Sequence, residues 1–277
     1  MNQTRGDLEY LYISNQLCEA KIALQGAHIF HFQTKGKRPL LWLSESACFE
    51  KGKAIRGGVP ICWPWFGAHP TDHTLPNHGF ARTALWKHIS TEETNNKTTK
   101  VLLQLKDSPE SLRLWPYHFE LTLEITLAHE LSISLITKNV DSRPFVITDA
   151  LHTYLAIENI NEIYVDGLNQ KPYYNKVDDT YNNIQEGRLY FKQETDRVYA
   201  EVSSNVSIHE NTTVVNVRTE GSQTLVVWNP GEELTKRMPD LSDHKTMLCL
   251  ESANALKDEV LLQPNKSHRL TSIITQG

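Results

Sequence analysis

The feature that most constrains the fold is a strict alternation of apolar and polar residues between His118 and Val140. Apolar side chains occupy every second position from Phe119 to Leu127, and the alternation resumes at Leu131 after a short polar break. A period of two on both sides of a short break predicts a β-hairpin with one buried face. That face must pack against further β-structure.

Weaker strand signals, rich in Val, Ile, Thr and Tyr, recur along the rest of the chain. They are Leu8–Ser14, Ala27–Gln33, Thr83–Ser90, Thr99–Lys106, Phe145–Thr148, Arg197–Val202, Asn205–His209, Thr213–Arg218, Gln223–Trp228, Lys245–Leu250 and His268–Thr275. Strands without interleaved helical periodicity predict an all-β fold, a large antiparallel β-sandwich. One short helix is predicted after Ser108, which can cap it, with Pro109 in its first turn. Residues 1–277 show no repeat or low-complexity linker, so a single domain is predicted.

Two segments are predicted to be long loops. Ala54–Asn77 is dense in proline and glycine and carries three aromatic residues, whereas Asp166–Arg188 is rich in Asn, Asp, Tyr and Lys. Long loops in a compact β domain are commonly functional.

The composition narrows the classes of function. A net charge of −5 and a pI near 6.2 argue against a nucleic-acid partner. No stretch approaches the ~20 apolar residues of a membrane span, and the first residues lack the apolar core of a secretion signal. The four cysteines lack any CxxC spacing, which indicates free thiols in a cytoplasmic protein.

His152 is the first candidate for proton-transfer chemistry. It follows an apolar strand signal, and a neutral imidazole can accept or donate a proton near neutral pH. Asp149 or Tyr154 is expected to orient the ring. The alternative is a core histidine bonded to a backbone carbonyl.

Glu251 is the second candidate, at the end of the apolar run Met247–Leu250. Burial beside such a run would raise its pKa and make it a better base. Asn254 is expected to hydrogen-bond it. The alternative is a glutamate at a strand end that faces water. Together the two residues offer an acid and a base to be held on opposite sides of a small molecule.

Two arginines lie beside glycine turns. Arg56 precedes Gly57 and Gly58, and Arg82 follows Gly79. A planar guanidinium bonds phosphate oxygens in pairs, and glycine permits close approach of a ligand. The alternative is that both arginines pair with surface carboxylates or carbonyls.

Motifs for a metal or a nucleotide are weak. His69, His73 and His78 lie close in sequence, but their irregular setting lacks a metal-ligand register. No GxGxxG, P-loop or GxSxG motif occurs. No metal and no cofactor is therefore predicted.

Seven motifs in order give the chain a family resemblance. They are Ile55–Pro60, Trp63–Gly67, His78–Arg82, Asp149–Tyr154, Glu194–Tyr199, Val227–Pro230 and Cys249–Asn254. With these the chain resembles, over nearly its whole length, the hexose-6-phosphate mutarotases (glucose-6-phosphate 1-epimerases) of the aldose 1-epimerase superfamily.

This resemblance implies a galactose-mutarotase-like β-sandwich (supersandwich) that binds a hexose 6-phosphate, D-glucose 6-phosphate first of all, without a cofactor. A monomer is the default expectation for the oligomeric state. It implies that His152 is the general acid at the ring oxygen and Glu251 the general base at the anomeric hydroxyl. It also implies that Arg56 and Arg82 hold the 6-phosphate. His78 and Asp196 are implied to contact the sugar or the phosphate.

Two other classes of protein remain open from the sequence. One is a non-catalytic carbohydrate- or phosphosugar-binding β-sandwich, in which the same residues only bind. The other is a glycoside hydrolase, which needs a second carboxylate beside Glu251, and Asp196 is the one carboxylate predicted to lie beside it.

Overall fold

The computed structural model describes residues 2–94, 97–203 and 205–277. Over these residues the predicted all-β fold is confirmed, because antiparallel strands dominate and the helices are short. The described residues include no helix that is both long enough and apolar enough to span a membrane.

The first eleven strands in chain order are β1 Asn2–Arg5, β2 Leu8–Ser14, β3 Cys18–Ala23, β4 His28–Thr34, β5 Ile61–Cys62, β6 Lys87–Thr94, β7 Thr98–Lys106, β8 Phe119–Leu127, β9 Glu130–Asn139, β10 Phe145–Ile147 and β11 Asp149–Leu151. The other strands are β12 Tyr154–Ala156, β13 Tyr164–Asp166, β14 Pro172–Asn175, β15 Thr180–Ile184, β16 Thr195–Tyr199, β17 Val206–His209, β18 Val214–Glu220, β19 Thr224–Asn229, β20 Met247–Asn254, β21 Val260–Leu262 and β22 Ser267–Gln276. The helices are α1 Pro109–Leu114, α2 Gly231–Thr235 and a 3₁₀ turn at Leu256–Asp258.

Two eight-stranded sheets form the body of the described fold. The site sheet has the order β15-β14-β16-β19-β20-β11-β5, and β12 also pairs with β20. The backing sheet has the order β13-β17-β18-β22-β9-β8-β7-β6. A four-stranded sheet of β1 to β4 and the pair β10 and β21 complete the described strands.

The hairpin predicted from the alternation is confirmed as β8 and β9 of the backing sheet. Its register runs from Phe119 opposite Asn139 to Leu127 opposite Leu131. Leu123 is fully buried, in one cluster with Leu248 and Leu250 of the site sheet, so the main core lies between the two sheets. Truncating such a core leucine to alanine typically costs about 2–5 kcal/mol.

The site sheet is buried on both faces. Every residue of β19 and β20 is buried, so these strands lack the alternation that marks β8 in the sequence. Leu248 and Leu250 face the main core, and by the period of two Cys249 and Glu251 face the other side. Glu251 therefore points away from the core, and it lies within its strand rather than at the strand's end.

One loop prediction was wrong. The segment Asp166–Arg188 contains a hairpin of β14 and β15, which pairs with β16 and forms one edge of the site sheet. Its strands are polar and mostly exposed or half-buried, so the sequence carries no apolar alternation there. By contrast, Ala54–Asn77 is largely irregular, as predicted, apart from the two residues of β5.

Two further predictions concern the chain before β8. The strand predicted at Thr83–Ser90 was partly wrong, because the chain turns at Thr83, whose N–H donates to Phe80, and the strand begins only at Lys87. The predicted helix is confirmed as α1. The Ser108 side chain accepts from the Ser111 N–H at its start.

Candidate active site

A pocket of about 260 Å³ opens on the face of the site sheet that points away from the main core. All six site residues predicted from the sequence line it: Arg56, His78, Arg82, His152, Asp196 and Glu251. Its other lining residues are Phe66, Asn77, Lys176, Val226, Trp228 and Met238. Residues almost two hundred positions apart thus meet in one pocket.

His152 and Glu251 are in direct contact at the base of this pocket. The imidazole Nδ1 lies 3.3 Å from Glu251 Oε1, and the two residues are only 8% and 1% exposed. Neither Nδ1 nor Glu251 Oε2 has a hydrogen-bond partner within the described residues. The alternative of a glutamate facing water was wrong. The two groups lie side by side, not on opposite sides of a gap.

The orientation of His152 is fixed by aromatic stacking and by the backbone. Its ring stacks on Tyr154 with centroids 4.8 Å apart and an angle of 7° between the planes, and Tyr154 in turn stacks on Trp42. The backbone N–H of His152 donates to the Pro60 carbonyl at 3.0 Å. Tyr154 thus orients the ring, as expected.

Of the two residues offered to orient the ring, Asp149 lies on the other face of the sheet, and the hydrogen bond expected from Asn254 to Glu251 was wrong. Asp149 alternates with Ala150 in β11 and shares the face of Leu151, which belongs to the main core. Asn254 lies three residues beyond Glu251, so its side chain also takes the opposite face. Its amide donates to the Gly221 carbonyl instead.

Burial shifts the pKa values of Glu251 and His152 in opposite directions. It raises the pKa of Glu251 well above its ordinary value, and the nearby Asp196 charge adds to that shift. It lowers the pKa of His152 well below its ordinary value, with smaller contributions from His78 and the pocket's cations. A low dielectric disfavours any charged form. The pair is therefore suited to hold one proton in total, because burial disfavours both the doubly protonated cation and the doubly deprotonated anion.

The two arginines differ in how far their donors are occupied. Arg56 binds Asp240 through Nε and Nη2, and its Nη1 donates to the Tyr154 hydroxyl at 3.0 Å. Arg82 donates from Nη2 to the Asn77 carbonyl at 2.8 Å, and no carboxylate of the described residues forms a salt bridge with it. The alternative of pairing with a carboxylate or a carbonyl thus holds for Arg56, and for Arg82 it holds at one donor. Arg82 keeps most of its donors for a ligand.

Lys176 is a pocket residue that sequence reasoning missed. It follows β14 at the end of the edge hairpin, where its Nζ lies 3.0 Å from Asp196 Oδ2 and 5.6 Å from the Phe66 ring centroid. The polar stretch around it was interpreted as a loop, and the contact with Asp196 depends on strand pairing. Lys176 could have been found only by first predicting the hairpin of β14 and β15.

His78 is held in a strained turn at the rim of the pocket. Its φ is 66°, and a Cβ on the following Gly79 would lie 1.9 Å from the Trp63 carbonyl oxygen. Burial, with Arg82 next, lowers the pKa of His78 to about 3. Its Nδ1 accepts from the Gly67 N–H at 3.2 Å, so the neutral ring carries its proton on Nε2 and can donate it.

One group of potential metal ligands occurs among the described residues. Ligand atoms of His152, Cys249 and Glu251 all lie within 4.8 Å of one another, and all three residues are buried. The histidines at 69, 73 and 78 belong to no such group in the described chain.

Comparison with known proteins gives a consistent result. The family model described as "Aldose 1-epimerase" matches residues 10–275. A protein of Escherichia coli strain K12 that is provisionally named glucose-6-phosphate 1-epimerase is 33% identical, over 96% of this chain and 90% of its own length. One of Cenchrus ciliaris with the same provisional name is 35% identical, over 91% and 79%.

A solved structure agrees with these sequence matches. The crystal structure of a provisionally assigned mutarotase from Salmonella typhimurium superposes with a TM-score of 0.93 at 31% identity, covering 100% of this chain and 92% of the other. A galactose mutarotase related enzyme from Lactobacillus acidophilus, at 17% identity and a TM-score of 0.77, shares the fold.

Proposed function

The chain belongs to the aldose 1-epimerase family, and from that premise we propose that it interconverts the α and β anomers of a hexose 6-phosphate, D-glucose 6-phosphate first of all. The observation that carries the proposal is the contact of an imidazole and a carboxylate, 3.3 Å apart, in a pocket that also contains cationic side chains.

Ring opening needs two proton transfers, one from O1 and one to O5, and both oxygens are bonded to the anomeric carbon. Glu251, as the carboxylate, takes the proton of the anomeric hydroxyl O1, and His152, as the imidazolium, gives a proton to the ring oxygen O5. The C1–O5 bond breaks and C1=O1 forms. The open aldehyde rotates about C1–C2, and closure on the other face reverses both transfers.

The side-by-side arrangement suits this reaction because O1 and O5 are bonded to the same carbon. In the ring-opening direction the pair passes from carboxylate and imidazolium to carboxylic acid and neutral imidazole, the two forms that burial favours. The number of protons on the pair does not change over the two transfers, so burial does not have to stabilise an added charge. Each positioned group supplies about 10²–10⁴ in rate.

We assign the principal contact with the 6-phosphate to Arg82, whose guanidinium makes no ion pair among the described residues. Arg56, held by Asp240 and Tyr154, adds positive charge, and neutral His78 donates to a sugar or phosphate oxygen. Asp196, paired with Lys176, contacts sugar hydroxyls. Fixing the phosphate holds the anomeric carbon against the acid–base pair.

The test is saturation-transfer NMR with the purified protein on glucose, galactose and mannose 6-phosphates, and on unphosphorylated glucose. We expect anomer exchange far above the spontaneous rate for at least one phosphosugar, and less acceleration for glucose. Exchange at the spontaneous rate for all four sugars would leave a non-catalytic binding module. Hydrolysis of aryl glycosides would indicate instead that Glu251 and Asp196 act as a hydrolase pair.

We also propose that the protein acts in the cytoplasm as a monomer, folded as a single domain. The cytoplasmic location is supported by the four cysteines, which are all free thiols and therefore suit a reducing compartment.

A further inference from the structure

Cys249 lies beside the catalytic pair but has no part in the reaction proposed above. It precedes Glu251 by two residues in β20, so both side chains take the same face of the site sheet. Its sulfur belongs to the group in which all ligand atoms lie within 4.8 Å of one another. The thiol is wholly buried.

The arrangement matches the ligand set of a zinc-class cation. Imidazole nitrogen, thiolate sulfur and carboxylate oxygen bind Zn²⁺ at about 2.0–2.3 Å, which puts neighbouring ligands of a tetrahedral site about 3.4–3.7 Å apart. His152 Nδ1 and Glu251 Oε1 are already 3.3 Å apart. The sulfur needs to approach by only about 1 Å, within reach of a side-chain rotation.

Two further observations indicate that the group can take up a ligand. His152 Nδ1 and Glu251 Oε2 are buried and lack hydrogen-bond partners within the described residues. Both residues line the pocket, so a cation entering it meets them directly and keeps its fourth position for water. Three protein ligands with one open position are typical of zinc sites that are accessible to solutes.

We propose that His152, Cys249 and Glu251 form a binding site for a thiophilic divalent cation of the zinc class, and that its occupation stops anomer exchange. Binding replaces the S–H bond of Cys249 by a metal–sulfur bond, and the thiol proton leaves to solvent. The single proton that His152 and Glu251 hold leaves as well. Once both residues coordinate the metal, Glu251 cannot take the proton of O1 and His152 cannot deliver one to O5, so the reaction stops.

Cys62 provides a matched control. It is equally buried, in β5 of the same sheet, but it belongs to no group of three potential ligands among the described residues. If the cation binds any buried thiol of this sheet, substitution of either cysteine would weaken its binding. If it binds the proposed site, only substitution of Cys249 weakens its binding.

The first experiment titrates the chelator-treated full-length protein with Co²⁺ and records absorbance, without any sugar. We expect a near-ultraviolet thiolate-to-cobalt band in the wild type and in Cys62→Ser, which excess Zn²⁺ removes. Cys249→Ser and Cys249→Ala are expected to lose the band and to bind Co²⁺ at least about tenfold more weakly. Absence of the band from the wild type, or its persistence in the Cys249 variants, would overturn the proposal.

The second experiment measures anomer exchange of glucose 6-phosphate with and without Zn²⁺, and this part rests on the proposed function. Exchange by the wild type and by Cys62→Ser is expected to fall more than tenfold, while Cys249→Ser keeps most of its rate. Equal inhibition of the two serine variants, or activation by Zn²⁺, would refute the inhibitory role. Because the cobalt band needs no turnover, failure of the metal site and failure of the proposed function are distinguishable.

Discussion

Glu251 and Asp149 are wholly buried carboxylates in β20 and β11, neighbouring strands of the site sheet, but they lie on opposite faces of it. Glu251 faces the pocket and contacts His152 at 3.3 Å. Asp149 faces the main core, and neither of its oxygens has a hydrogen-bond partner within the described residues. Burial raises the pKa of both. Desolvation alone therefore does not make a catalytic carboxylate, which also needs access to substrate and an acid partner.

The largest expected effect is on turnover. Glu251→Gln removes the proposed base while keeping the size of the side chain, and we expect anomer exchange to slow by about 10²–10⁴. Binding of glucose 6-phosphate, measured by calorimetry, is expected to stay close to that of the wild type. Asp149→Asn is the matched control and is expected to keep the wild-type rate. An equal loss of exchange rate in the two variants would show that the pocket-facing and core-facing carboxylates do not differ in their contribution to turnover.

The next effect concerns the phosphate. Arg82→Ala is expected to raise KM for glucose 6-phosphate by about 10–100-fold, because it removes hydrogen bonds between charged groups. The small rate on unphosphorylated glucose is expected to stay unchanged, as measured by the same exchange assay. Arg218→Ala, on an exposed position of the backing sheet, provides the control. An unchanged KM in Arg82→Ala would place the phosphate elsewhere.

The smallest effect is on stability and concerns Asp149. Burial raises the pKa of Asp149 from an ordinary 3.8 to about 7. Between these values the folded state binds the proton more tightly than the unfolded state does, so this group lowers the free energy of unfolding as pH rises from about 4 to 7. We expect Asp149→Asn to be more stable than the wild type by roughly 1–3 kcal/mol at pH 8, with the difference shrinking towards pH 5.

Urea denaturation at the two pH values measures this difference. Asp258→Asn is a useful second variant, because the Asp258 charge is a smaller cause that raises the pKa of Asp149. A wild type that is as stable as Asp149→Asn at both pH values would show that the Asp149 carboxylate finds compensation in the folded state.

The two sheets differ in how far the sequence predicted them. The hairpin of β8 and β9 was predicted correctly because one face is buried and the other meets solvent, which imposes a period of two. β20 is buried on both faces, so its apolar run revealed a strand but not which residues face the pocket. The expectation for Asn254 was wrong for this reason, because a spacing of three residues from Glu251 puts its side chain on the opposite face.

The sequence predicted six of the residues that line the pocket, but not the contacts that they make. Ordered motifs identified all six predicted residues that line the pocket. The partners of Arg56 and Asp196 were not predicted. Asp240 binds Arg56 across 184 positions, and Lys176 reaches Asp196 only through the edge hairpin. Such contacts depend on strand order and register, which local sequence patterns do not encode.

We propose that His152 and Glu251 act as a pair that holds one proton, and the pH dependence of kcat/KM for anomer exchange tests this most directly. With both groups protonated no base is present, and with neither protonated no acid is present. We therefore expect a bell-shaped profile that falls about tenfold per pH unit on each side. Because burial lowers the pKa of His152 and raises that of Glu251, the limbs belong to the pair as a whole. A profile without one of the limbs, or one that Glu251→Gln leaves unchanged, would contradict the claim.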